Sequence, residues 1–140
     1  MTAESEERAR HDRAVTEVAR QRFAYPTFDY PTHVTYTNEP VQRLGVNAGS
    51  SIVYPDIVVV DAAVSNRLTL VAEVETEATI DQDQVQQWKT YSGLNVPFFL
   101  YVPIRLVQET QRLLASNGVN LTGLRSYHDD AKGNLSITDV

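Results

Sequence analysis

Two apolar runs, each bounded by acids at one end, most constrain what this chain can fold into. Asp56 follows Pro55 and opens Ile57-Val58-Val59-Val60, while Glu73 and Glu75 flank Val74 at the end of a run that starts at Leu68. Runs of this composition on either side of Ser65-Asn66 predict a β-hairpin over about 57–63 and 68–75. Ile57–Val60 is apolar at consecutive positions, so that strand is expected to be covered on both faces. Side chains at i and i+2 on a strand share a face. A two-residue turn at 65–66 pairs position 64 with 67 and, by the same register, Asp56 with Glu75, on the face that also carries Glu73. A turn one residue longer would separate Asp56 from the two glutamates unless a bulge restored the alignment. Like charges opposed across a ladder are unfavourable. They need a bound cation, a raised pKa or open water to offset them, and the sharpest of these readings is a divalent metal.

The rest of the chain alternates helix and strand. Residues 5–22 predict a helix, with Ser5 as its start and Ala14, Val15, Val18 and Ala19 as its apolar stripe. Prolines at 26, 31, 40 and 55 break up the next stretch, in which 33–37 has strand composition and 47–51 reads as a loop placed to border a site. A second helix is expected over 79–92, with Thr79 and Gln82 as a capping box and Val85 and Trp88 facing the core. Phe98 to Val102 predicts a buried strand returning to the sheet as a crossover, hence parallel to its neighbour. A helix from Pro103 to about Ser116 and two strands, 121–127 and 135–138, complete the pattern. It describes one domain over 1–140, with a core over about 5–116 and a C-terminal β extension over about 119–140.

Charge and composition narrow the chemistry. The chain has no cysteine, which removes disulfides and thiolate metal sites and leaves oxygen ligands, with histidine at most. His11, His33 and His128 show no metal-ligand spacing, although His33 lies in an expected strand that can approach the acids. The net charge is −6, and between 73 and 83 there are five acids and no base, so nucleic acid is repelled there unless a cation intervenes. No apolar run is long enough to span a bilayer and the first residues are charged, so a soluble cytoplasmic protein without membrane contact is expected.

Helix, weak strand, strong hairpin, helix and buried strand, with Pro55-Asp56 and then Glu73-Val74-Glu75, resembles the PD-(D/E)xK nuclease superfamily. The resemblance implies the restriction-endonuclease-like α/β fold, a mixed central β-sheet flanked by helices. It implies metal-dependent hydrolysis of nucleic-acid phosphodiesters, DNA before RNA, with Asp56 and Glu73 holding Mg or Mn alongside the Val74 carbonyl. Asp56, Glu73 and Glu75 are then the catalytic residues. The family carries lysine where this chain has Glu75, so positive charge near the attacked phosphate is missing. Glutamate there can take a proton from water or ligate the metal, as in a minority of restriction enzymes, but loss of the lysine also marks members without catalysis. Gln87 and Tyr91, four apart on the second helix, match the spacing by which RecB-like and phage-exonuclease-like members hold the substrate strand; Lys89 stands between them. Family members often carry an acid on the first helix that completes the site through water, and Glu17 is a lesser candidate for that place, with Glu7 competing. Arg20, Arg22, Arg43 and Lys89 are the expected phosphate contacts, few enough to make binding weak and salt-sensitive. The alternative is a catalytically inactive domain that binds another protein or forms a homo-oligomer through its C-terminal strand edges.

Overall fold

A computed structural model describes residues 2–130 and 132–140. A long helix, α1 (Ala3–Arg22), precedes strand β1 (His33–Thr37), a small hairpin β2 (Val46–Ala48) and β3 (Ser51–Val53), and the paired strands β4 (Ile57–Asp61) and β5 (Arg67–Val74). Helix α2 (Gln82–Ser92), β6 (Phe98–Pro103), α3 (Val107–Ser116), β7 (Gly123–Asp129) and β8 (Leu135–Asp139) follow. Six strands form one mixed sheet in the order β1-β4-β5-β6-β7-β8. β5, β6 and β7 run parallel, each joined by a helical crossover, and the remaining pairs are antiparallel. The C-terminal strands therefore continue the central sheet.

The two faces are covered separately. Val15 and Val18 of α1, with Phe23 just past its end, pack on Ile57, Val59, Ala72, Val74 and Tyr101. On the other face, Val85, Trp88 and Tyr91 of α2 with Leu113 of α3 pack on Val71, Phe98, Leu100 and Val102. The β2–β3 hairpin closes the rest of that face, with Val46 and Val53 against Val58 and Val60. β4 is thus buried on both sides, as its unbroken apolar run requires.

Several boundaries depart from the sequence reading. Thr2, not Ser5, caps α1, its hydroxyl accepting from the Ser5 N–H at 3.1 Å. α2 starts at Gln82 behind Asp81, whose carboxylate accepts from the Gln84 N–H at 2.9 Å; the Thr79 hydroxyl instead accepts from the Thr76 N–H. Residues 46–53 form the hairpin where a loop was expected, with Gly49 at φ +74 in its turn.

The register of β4 and β5 is the consequential correction. The expected two-residue turn is a longer connection, a 3₁₀ turn over Ala62–Val64 followed by Ser65 and Asn66 in the left-handed region. It pairs Asp61 with Arg67. That register alone would carry Asp56 opposite Ala72 and turn it away from Glu73. The ladder then shifts, with Val60 opposite Leu68 but Val59 opposite Leu70, so Thr69 is an extra residue. Ile57 consequently faces Ala72, and Asp56 arrives opposite Glu73, not Glu75.

Candidate metal centre

The carboxylates gather where the β4–β5 ladder ends. Past Ile57, side chains replace the backbone bonds: the Asp56 N–H donates to Glu73 Oε1 at 2.7 Å, and the Val74 N–H donates to Asp56 Oδ2 at 2.9 Å. Glu75 follows directly, its N–H donating to the Tyr101 carbonyl at 2.8 Å. Asp56, Glu73 and Glu75 are all buried, Glu75 to 1% exposure, and offer ligand oxygens within 4.8 Å of one another. Gln84 Nε2 donates to Glu75 Oε1 at 3.1 Å, but Glu75 Oε2 is buried with no hydrogen-bond partner. A buried acceptor left unpaired costs free energy on the order of 1–3 kcal/mol unless something binds it. This group of oxygens can hold a metal ion.

Two further residues, absent from the sequence reading of the acids, complete the cluster. His11 reaches over from α1: its Nε2–H donates to the Val74 carbonyl at 2.8 Å and lies 3.2 Å from Asp56 Oδ2. Glu39, just beyond β1, forms with His11 and Asp56 a second possible ligand set that shares Asp56. His11 was legible in one respect, since it continues the inward stripe of Ala14, Val15 and Val18. Glu39 sits between Asn38 and Pro40, in a stretch without periodicity, and carried no such signal.

The electrostatics follow from burial and crowding. Burial and the neighbouring Asp56 raise the Glu73 pKa well above the ordinary carboxylate value. The same two causes push Glu75 up to about 8. Burial opposes the charge on His11, but the Asp56 carboxylate and the Val74 carbonyl prevail and raise it to about 9. His11 is therefore protonated at neutral pH and supplies the positive charge next to Asp56. Burial, and then Asp56, raise Glu39 as well.

A cavity of about 470 Å³ opens on the cluster. Gln87 and Tyr91 line it; Tyr91 also packs edge-on to Phe98 at 5.7 Å between ring centres, so it belongs to core and cavity at once. Lys89 is exposed and does not line the cavity, and neither do Arg20, Arg22 or Arg43. Glu17 is not in the cluster but pairs with Arg20 at 2.7 Å, and Arg22 pairs with Asp139 at 3.3 Å. His33 stands opposite Asp61, at the far end of β4 from Asp56. Among the described residues, none of those lining the cavity is lysine or arginine. Trp88 is fully buried in the core.

No family model, no curated protein and no solved structure matches the chain. Among the described residues, no helix is long and apolar enough to cross a membrane.

Proposed function

We propose that this protein is a metal-dependent phosphodiesterase acting on nucleic acid, a PD-(D/E)xK-type nuclease with Glu75 at the lysine position. The observation that carries the reading is the convergence of three buried carboxylates with one oxygen, Glu75 Oε2, left unpaired. Such a group is costly in a dry site and becomes favourable around a divalent cation. Hard oxygen ligands suit Mg or Mn. Asp56 and Glu73 are the residues to hold it, with the Val74 carbonyl beside Asp56 once His11 yields its hydrogen bond. A bound cation would supply Lewis-acid charge and acidify a nearby water. Glu75, once deprotonated, is placed to accept that proton, with Gln84 orienting its carboxylate. His11 supplies a positive charge that the motif lysine would otherwise bring.

Titration with Mg²⁺ or Mn²⁺ tests the site through the melting temperature, because a ligand that binds the native state stabilises it. Cleavage of DNA and RNA in either metal tests the activity, with Asp56→Asn and Glu73→Gln as controls that remove charge at nearly constant shape. Either variant should abolish both responses. Activity that survives in both would mean the site is elsewhere. Glu75→Lys should impair cleavage if Glu75 is the proton acceptor.

A second reading is favoured by the lack, among the described residues, of lysine and arginine around the cavity. In it the domain is catalytically silent and assembles with another protein or with itself, β1 and β8 being the open sheet edges. Light scattering across a concentration series distinguishes self-assembly from a monomer.

A further inference from the structure

The floor of the cavity is acidic, but its lip is not. From the end of β3 at Val53 the chain runs directly through Tyr54 and Pro55 to Asp56. Val53 points inward, packed with Val46, Val58 and Val60. Ile52 and Tyr54, one residue to either side, therefore turn outward together. Both border the cavity, at 54% and 40% exposure. Their position is fixed from beneath by Gly45: a Cβ there would collide with Ile52 Cγ2 and stand 3.1 Å from Tyr54 Cε1. The two side chains thus lie against bare backbone, on a hairpin anchored in the core.

Resting on the nuclease reading above, we propose that the cavity takes an unpaired nucleic-acid strand, one of whose bases seats on Tyr54 and Ile52. A duplex is held chiefly through phosphates, by cations spread along both strands. Here four carboxylates (Glu39, Asp56, Glu73 and Glu75) border the cavity, and among the described residues no lysine or arginine does. His11 is engaged with Asp56 and the Val74 carbonyl, and the other contacts on offer are uncharged: the rings of Tyr54 at the lip and Tyr91 deeper in, the Ile52 side chain, and the amides of Gln42, Gln84 and Gln87. An aromatic ring takes any base by its face, and amides take base edges, but only when the base is unpaired and unstacked. Tyr54 is two residues from Asp56, at most about 7 Å along the backbone. A base seated there would keep its own phosphodiester within reach of the carboxylates, where a bound cation would add its charge to that of His11.

The test is fluorescence anisotropy with a short labelled pyrimidine strand and the same strand in a duplex, in Ca²⁺ and in EDTA. Wild type should hold the single strand at least about tenfold more tightly than the duplex. Tyr54→Ala should weaken the single strand by about tenfold, the loss expected when one stacked base is given up. Tyr54→Phe should retain binding. Gly45→Ala should weaken it by displacing the Ile52 and Tyr54 side chains without removing either. The Mg²⁺ shift in melting temperature should persist in all three variants, which separates this lip from the metal cluster. Equal affinity for duplex, wild-type affinity in Tyr54→Ala, or no strand bound by wild type would each overturn the proposal. A missing metal shift in wild type, with single-strand binding that still depends on Tyr54, would sink the nuclease reading and leave this one standing.

Discussion

At Glu75, burial and function pull in opposite directions. Its carboxyl is 1% exposed, and one oxygen lacks a partner in the chain. Without metal, this group weakens the fold above its pKa of about 8. Glu75→Gln is therefore expected to raise the metal-free melting temperature by several degrees at alkaline pH while reducing the shift produced by Mg²⁺. Thermal melts with and without the cation check both signs, and a variant that loses stability in EDTA would contradict the account. Trp88 is the opposite case, fully buried among Val85, Phe98 and Leu113 with no part in the cavity lining. Trp88→Ala should cost on the order of 3–5 kcal/mol in denaturant unfolding. Individual residues were legible in the sequence wherever they broke a pattern or fell on one. Asp56, Glu73 and Glu75 interrupt apolar runs, and Trp88 falls on the helical stripe with Val85. Glu39 breaks no pattern, and only tertiary proximity to Asp56 gives it meaning.

Between elements, the placement of Asp56 depends on compensation that composition does not display. The connection after β4 is longer than the Ser65-Asn66 signal implies, and the extra residue at Thr69 restores the lost parity. Existence and pairing of the two strands were readable because β-branched runs permit little else. The register was not, since it depends on a 3₁₀ turn that Asp61 stabilises by accepting from the Ala63 N–H at 3.1 Å. A second device holds the other side of the site. Asn38 is 4% exposed and uses its amide fully: Nδ2 donates to the Leu44 and Pro55 carbonyls, and Oδ1 accepts from the Arg43 and Leu44 N–H groups. It ties the end of β1, the proline-rich loop and the approach to Asp56 into one unit. Asn38→Ala leaves several buried groups unpaired and should cost about 3 kcal/mol, with a weaker Mg²⁺ response because Glu39 and Asp56 lose their support. Asn38→Asp keeps the acceptor but sets a carboxylate oxygen against two carbonyls, and should be little better. Denaturant titration of both variants decides the matter; near-wild-type stability in either would show that the loop is held by something else.

Over the whole molecule, layer order follows from the pattern of runs, because a strand apolar at consecutive positions must have cover on both sides. α1 covers one face while α2, α3 and the β2–β3 hairpin cover the other, and the acids sit where the β4–β5 ladder gives way. His11 comes to them from one layer and Gln84 from the other. This placement couples stability, protons and metal. An acid raised from 4.5 to about 8 on folding binds more protons in the native state across that interval. Its contribution is therefore present at low pH and lost as pH rises through about 8. His11, raised from 6.5 to about 9, acts in the same direction, and its contribution is lost as pH rises through about 9. The metal-free chain should accordingly melt at progressively lower temperature from about pH 5 to about pH 9. Metal ligands must be deprotonated, so cation binding expels these protons and its apparent affinity should rise with pH, by up to about tenfold per pH unit for each proton displaced. The Mg²⁺-induced shift should consequently grow over the same range in which the metal-free chain weakens. Melting curves at a series of pH values, in EDTA and in Mg²⁺, read both trends from one set of samples. Glu75→Gln should reduce the acid part of the metal-free slope, leaving what Glu73 and Glu39 contribute and the part due to His11. A metal-free melting temperature that stays level across this range would mean that the buried acids do not hold their protons, and the linkage between cluster and fold would have to be abandoned.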